Sequence, residues 1–186
     1  MSGNTEHTTD KQDIPVILLV HRAKAGLIKQ TYENLMIISS GEGSAAEFFQ
    51  ANIKEDKAEA LYGFLSEHDY LATEDAIEKI AKLLIEDPYI GAVYCDGIIR
   101  AHNDTPQIFP PFSKESYTTC IINTPLFAQH NLLQEWDEEL NSTYFYDYYK
   151  KLGATTLVGH IPEPLILTKY NPTSSEEIQK VREKHG

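Results

Sequence analysis

A chain of 186 residues, 41% hydrophobic and 24% charged, has the makeup of one globular domain, which excludes collagen-like, coiled-coil and disulfide-scaffold architectures. Its 28 acidic residues outweigh 16 basic ones, and a net charge of −12 repels phosphate backbones and anionic lipid, so nucleic acid is not an expected partner. Two cysteines, Cys95 and Cys120, each inside an apolar stretch, read as buried free thiols of a reducing compartment, the cytoplasm.

Residues 1–13 are polar and lack the apolar core of a signal peptide, and the apolar run at 15–20 is too short to span a bilayer. Both ends therefore read as segments outside the core: a leader over 1–13, one domain over 14–170, and a polar tail over 171–186. The tail carries a helix start at Ser174 or Ser175 with Glu177, and Lys180, Arg182 and Lys184 suit the negative end of its dipole.

Between the ends, apolar runs of strand length occur at 15–20 (PVILLV), 35–38 (LMII), 61–65 (LYGFL) and 91–95 (GAVYC). Runs without polar alternation suit strands covered on both faces. Residues 72–85 form the clearest helix, with Ile77, Ile80, Ala81 and Leu84 on one face, Thr73 as cap, Glu74 and Asp75 in the first turn, and Asp87-Pro88 as its end. A second helix is expected over 143–152 with Gly153 as its stop, followed by a strand over 155–158. This alternation predicts a single α/β domain, a mostly parallel Rossmann-like sheet flanked by helices, with any ligand beyond the carboxyl ends of the strands.

The segment Gln30-Thr-Tyr-Glu-Asn-Leu-Met-Ile-Ile-Ser-Ser-Gly41 resembles the family 2 glycosyltransferases, which run from a "QTY-x-N" turn into a strand. The resemblance continues at Tyr62-Gly-Phe-Leu-Ser-Glu-His-Asp-Tyr-Leu71, which looks like the family's strand into its metal motif. It continues again at Ile90-Gly-Ala-Val-Tyr-Cys-Asp96, at Trp136-Asp-Glu138 and at His160-Ile-Pro-Glu-Pro-Leu165. Order and spacing agree over roughly residues 14–170. The resemblance implies a GT-A fold and transfer of a sugar, with inversion, from a nucleoside-diphosphate sugar, a UDP-sugar first, to an acceptor hydroxyl. It also implies a divalent metal, manganese or magnesium.

The family's site residues carry over incompletely. Ser39 and Ser40 stand where carboxylates recognise the base, so with His21 and Asp96 they are the candidate donor-binding residues. Ser66 and His68 occupy the two aspartate positions of the metal motif, which makes Glu67, His68 and Asp69 the candidate metal ligands; a solvated turn is the alternative. Tyr144 and Phe145 stand where the catalytic acid falls, while Asp147 and Lys151 keep the rest of that helix motif. Asp137 and Glu138 are then the candidate catalytic base, or else part of an exposed acidic loop.

Several features stay open at this level. Asp96 also fits an Asp-Gly turn before Ile98. The aromatic cluster Tyr144, Phe145, Tyr146, Tyr148 and Tyr149 is either a sugar platform or core. Residues 106–112 (PQIFPPF) resemble the segment beneath the family's acceptor cleft or form a Pro-rich loop. His21 and His160 lack the paired spacing of a zinc site. The family's helix after the first strand shrinks to about residues 21–29, and residues 43–61 are too short for its usual helix, strand and helix. Because base pocket, metal motif and catalytic acid are all altered, a second reading is a non-catalytic GT-A module that binds or assembles.

Overall fold

The computed structural model describes residues 14–22, 29–40, 42–53, 60–100, 106–109, 126–169 and 174–186. Strand β1 (Val16–His21) lies between β2 (Leu35–Ser40) and β3 (Leu61–Leu65), parallel to both. Beyond β3 come β7 (Leu126–Gln129), β5 (Ile90–Arg100), β8 (Leu157–Lys169) and β4 (Asp69–Leu71), while β6 (Pro106–Phe109) pairs with the distal half of β5. Strands β1, β2, β3, β5 and β8 run one way and β4, β6 and β7 the other. The expected α/β domain with a mostly parallel sheet flanked by helices is what forms. No helix among the described residues is long and apolar enough to cross a membrane.

The continuous apolar runs have the predicted cause, since alternate residues of each strand enter separate cores on the two faces of the sheet. Ile17, Leu19, Tyr62 and Phe64 join one core with helices α1 (Ala45–Asn52), α3 (Tyr144–Gly153) and α4 (Ser175–His185). Val16, Leu18, Val20, Leu61 and Leu65 join the other, covered by α2 (Ala76–Glu86). Four of the five clustered aromatics, Tyr144, Phe145, Tyr146 and Tyr148, are core residues, and Tyr149 packs against the same core from its margin.

Strand β3 passes so close to its neighbours that a Cβ on Gly63 would lie 2.3 Å from Phe127 Cε1 and 2.9 Å from Leu18 Cδ1. Gly63→Ala is therefore expected to cost about 1–3 kcal/mol by overpacking, read from the midpoint of urea unfolding.

The Gln30-Thr31-Tyr32 segment turns out to be structural. Gln30 Oε1 accepts from the Ile77 amide at 3.1 Å, and its Nε2 donates to Thr73 O at 2.9 Å. Thr31 N–H donates to Glu74 O at 2.8 Å, and the Tyr32 hydroxyl donates to Ile14 O at 2.6 Å. Gln30 thus satisfies an orphan amide of α2 that the expected cap, Thr73, leaves alone. The Thr73 hydroxyl bonds Asp75 instead, and the helix starts at Ala76, four residues later than expected.

Other expectations need correcting. Asp96-Gly97 is not a turn, because β5 runs straight through it, with register shifts against β8 at Cys95/Asp96 and Asp96/Gly97. The strand expected over 155–158 is a 13-residue strand. Residues 106–109 form β6 and not a loop; residues 110–112, Cys120 and the leader over 1–13 lie outside the described residues. Helix α1 occupies part of the stretch judged too short, started by a capping box in which Ser44 and Glu47 satisfy each other's amides.

The C-terminal helix is docked and not merely appended. Val181 is buried in the core, and Glu177 Oε2 accepts from the amides of Ser142 (2.8 Å) and Thr143 (3.2 Å), capping α3 from a different helix. Asp147 on α3 takes Lys151 (2.9 Å), Lys184 (3.0 Å) and His185 (2.8 Å). The polar composition of residues 174–186 hid this, because two apolar residues, Ile178 and Val181, and three polar ones, Glu177, Lys184 and His185, do the docking.

Candidate functional site

The chain passes from β1 to β2 on one side, then crosses to β3 on the other, so the strand order reverses at β1. A crevice opens at such a point, beyond the carboxyl ends of the strands. Here it is a cleft of about 310 Å³, within the range of small-ligand sites. His21 and Arg22 reach it from the end of β1, Ser66, Glu67 and His68 from the end of β3, and Gly43, Ser44 and Ala45 from the start of α1. Leu140, Asn141 and Tyr144 close it from the approach to α3.

Each wall has a local cause. His21 is buried, its ring lies 5.9 Å from that of Phe48, and Nε2–H donates to Gly43 O at 3.2 Å. Burial lowers its pKa, which keeps the imidazole neutral near pH 7. Arg22 has φ of 55°, the left-handed region that costs a residue with a Cβ about 1–2 kcal/mol. That backbone turn carries the guanidinium to 3.4 Å from Gly43 O and 3.6 Å from the Glu67 carboxylate. Glu67 also lies 3.6 Å from His68 Nε2. The capping box uses the amides of Ser44 and Glu47, which leaves those of Ala45 and Ala46 as first-turn donors among the described residues.

The predicted metal ligands do not converge. Ser66, Glu67, His68 and Asp69 form a tight turn closed by Asp69 N–H donating to Ser66 O at 3.1 Å. The Asp69 carboxylate points inward, 3% exposed, accepting from the Ser66 amide at 2.9 Å and from the Ser66 hydroxyl. Burial raises its pKa, against the pull of those hydrogen bonds. The cause is β4, which begins at Asp69 and pairs it with Thr168 of β8, turning the side chain away from the cleft. Among the described residues a divalent ion would find Glu67 as its one anionic ligand, already shared with a guanidinium, and that donor set does not fit a hard cation. Among the described residues no three of His, Cys, Asp and Glu are placed to hold a metal ion.

The other predicted residues scatter. Ser39 is exposed on β2, and Ser40 ends that strand. Asp137 pairs with Lys184 at 2.7 Å, and a hydrogen bond from that ammonium, working against partial burial, holds its pKa below the usual carboxylate value. Glu138 is exposed, and neither it nor Asp137 lines the cleft. Asp96 lies on β5, where it meets His160. Sequence reasoning brought His21, Glu67 and His68 to the cleft and missed Arg22, Ser44, Asn141 and the lining role of Tyr144. The Ser44-Ala-Ala-Glu47 capping box was the available signal for the α1 wall.

Arg22→Gly separates conformation from chemistry at this site. Glycine adopts φ of 55° without strain, so the variant is expected to unfold within about 1 kcal/mol of the parent or above it, whereas Arg22→Ala keeps the strain. Thermal melts of both variants check this.

No family model matches the chain, and no curated protein matches it in sequence. Among solved structures it is similar to the crystal structure of 4-diphosphocytidyl-2C-methyl-D-erythritolsynthase from Anaerococcus prevotii DSM 20548. That match covers 92% of this chain and 96% of the other at 12% identity, with a TM-score of 0.46, too distant a likeness to carry an argument about function.

Proposed function

We propose that the switch-point cleft binds the diphosphate of a nucleoside-diphosphate sugar, a UDP-sugar first, and that the protein transfers the sugar to an acceptor hydroxyl with inversion. The observation that carries this reading is the convergence of Arg22, His68 and the first turn of α1 on one cleft beyond the carboxyl ends of β1 and β3. Donors of this kind, fixed before the reaction, stabilise the charge that grows on a departing diphosphate. In a chain of net charge −12, an anionic donor requires a local guanidinium and free helix amides to be held. The ordered resemblance to family 2 glycosyltransferases supplies the reaction class, and the chain's own donor set takes the place of a metal.

The second reading, a non-catalytic binding or assembly module, is favoured by one observation: Asp69 is buried, and among the described residues Glu67 is the one carboxylate lining the cleft. Calorimetric titration with UDP-, GDP- and TDP-sugars in the presence of chelator, followed by a nucleotide-release assay, separates the two. Binding weakened roughly tenfold or more by Arg22→Ala, the worth of a charge-assisted hydrogen bond, is the expected result. Binding without release in any acceptor mixture selects the module; no binding of any donor overturns the transfer reading, and a monomer that turns over donor sugar overturns the module.

A further inference from the structure

Asp96 and His160 are 64 positions apart in sequence, on neighbouring strands β5 and β8, yet Asp96 Oδ1 accepts from His160 Nε2–H at 2.6 Å. The imidazole stacks on Tyr94 with centroids 4.7 Å apart and planes 12° apart, and Tyr149 of α3 meets Tyr94 edge-on at 6.0 Å. In a neutral imidazole, a carboxylate accepting from Nε2–H leaves the lone pair on Nδ1, and Nδ1 meets no hydrogen-bond partner among the described residues. The pair is open to a ligand, with side chains 32% (His160) and 15% (Asp96) exposed.

Its position relates it to the cleft. Gly63 of β3 is level with Phe127 of β7, which is level with Val93 of β5, so Ser66, one residue past the end of β3, and Asp96, at the register shift of β5, both lie three residues on from that level in the same direction. Two strand spacings, about 10 Å, separate them laterally. Tyr94 packs on the core covered by α1 and α3, the face from which the cleft is built. Helix α3 spans the gap, with Tyr144 lining the cleft and Tyr149 beside Tyr94.

We propose that His160 is the general base of the transfer, held by Asp96 as a positioning residue, and that the surface around Tyr94 and Tyr149 receives the acceptor. This rests on the reading of the cleft as a donor site. The acceptor O–H gives its proton to His160 Nδ1 as its oxygen bonds to the anomeric carbon. The bond from that carbon to the diphosphate oxygen breaks, and the nucleoside diphosphate leaves with the electron pair, held by Arg22 and the first-turn amides of α1. Aromatic faces beside a hydroxyl-binding imidazole suit a sugar acceptor.

His160→Gln and Asp96→Asn test this, with nucleotide release from the UDP-sugar that the wild type binds measured alongside donor affinity and melting temperature. Both variants are expected to lose kcat by about 100-fold or more with donor affinity and melting unchanged. Imidazole ¹⁵N spectra of the wild type are expected to show protonated Nε2 and unprotonated Nδ1. Variants with wild-type kcat, the opposite tautomer, or kcat lost only in step with donor binding would overturn the inference. A wild type that binds donor and releases no nucleotide overturns this inference and leaves donor binding standing. One that binds no donor overturns the cleft reading itself.

Discussion

Phe49→Ala is expected to lower the unfolding free energy by about 3–5 kcal/mol, the cost of emptying a fully enclosed aromatic site. Phe49 is fully buried on α1 and stands at the centre of the larger core, its ring centroid 4.9 Å from Trp136, 5.3 Å from Phe64 and 5.9 Å from Phe145. Trp136 in turn stacks on Tyr148 at 3.8 Å. These rings come from α1, β3, α3 and the loop before α3, so little can slide inward to fill the void. The same substitution reaches the cleft, because Phe48 packs beside His21 and Tyr144 lines the cleft wall. Denaturant unfolding with an unchanged m value and a shifted midpoint checks it. A loss under 1 kcal/mol would mean that the core is not packed as described.

The second large effect is at Asp147. Its side chain is 1% exposed while Lys151, Lys184 and His185 surround it, so Asp147→Ala leaves these half-buried groups without their shared carboxylate and removes the link between α3 and α4. Breaking a buried pair costs about 3–5 kcal/mol, and the lower end is expected because Lys184 remains 41% exposed and can rehydrate. Burial pushes the Asp147 pKa up, but hydrogen bonds from His185, Lys151 and Lys184 outweigh it and hold it below the ordinary value of 3.8. Glu177 is likewise lowered from 4.5, hydrogen bonds from Ser142, Asn141 and Thr143 overcoming its burial.

The sign follows from the direction of these shifts. A carboxylate whose folded pKa is depressed adds stability that is whole above its unfolded pKa and is lost as pH falls through the folded one. Docking of α4 is therefore expected to hold above the ordinary carboxylate range and to fail in acid below it. Hydrogen exchange at the Val181 amide reports the docking directly. Wild-type protection should collapse on acidification, and Asp147→Ala should lack most of it already at neutral pH. Protection unchanged in the variant would contradict the clamp.

What could be read from the chain depended on whether its cause was local. Strands β1 and β3 were legible because burial on both faces makes residues 16–20 and 61–65 continuously apolar. Helix α2 was legible from the spacing of Ile77, Ile80, Ala81 and Leu84, though its first turn is capped by Gln30, 47 positions away from the amide it binds. Strands β4, β6 and β7 have three or four residues each and exist through their pairing with β8, β5 and β3, which no local pattern announces.

The site divided in the same way. Glu67 and His68 could be found because they follow an obvious strand in a fold that places ligands there. Asp69 is adjacent in sequence and faces the other way because β8 captures it. Arg22 has no motif, since its role follows from a left-handed turn at the end of β1. The Asp96–His160 pair joins two resemblance segments whose residues, taken singly, suggested a donor contact or a turn and an isolated histidine.

The most direct test of the cleft as an anionic donor site is a ¹H–¹⁵N titration of the full chain with UDP in chelator. The amides of Arg22, Ser44, Ala45, His68 and Asn141 are expected to shift together along one saturating curve, with the curve lost in Arg22→Gly while that variant's melting temperature holds. Shifts absent from these amides, or clustered on the α2 face of the sheet, would contradict the assignment of the switch-point cleft as the place where this protein binds its ligand.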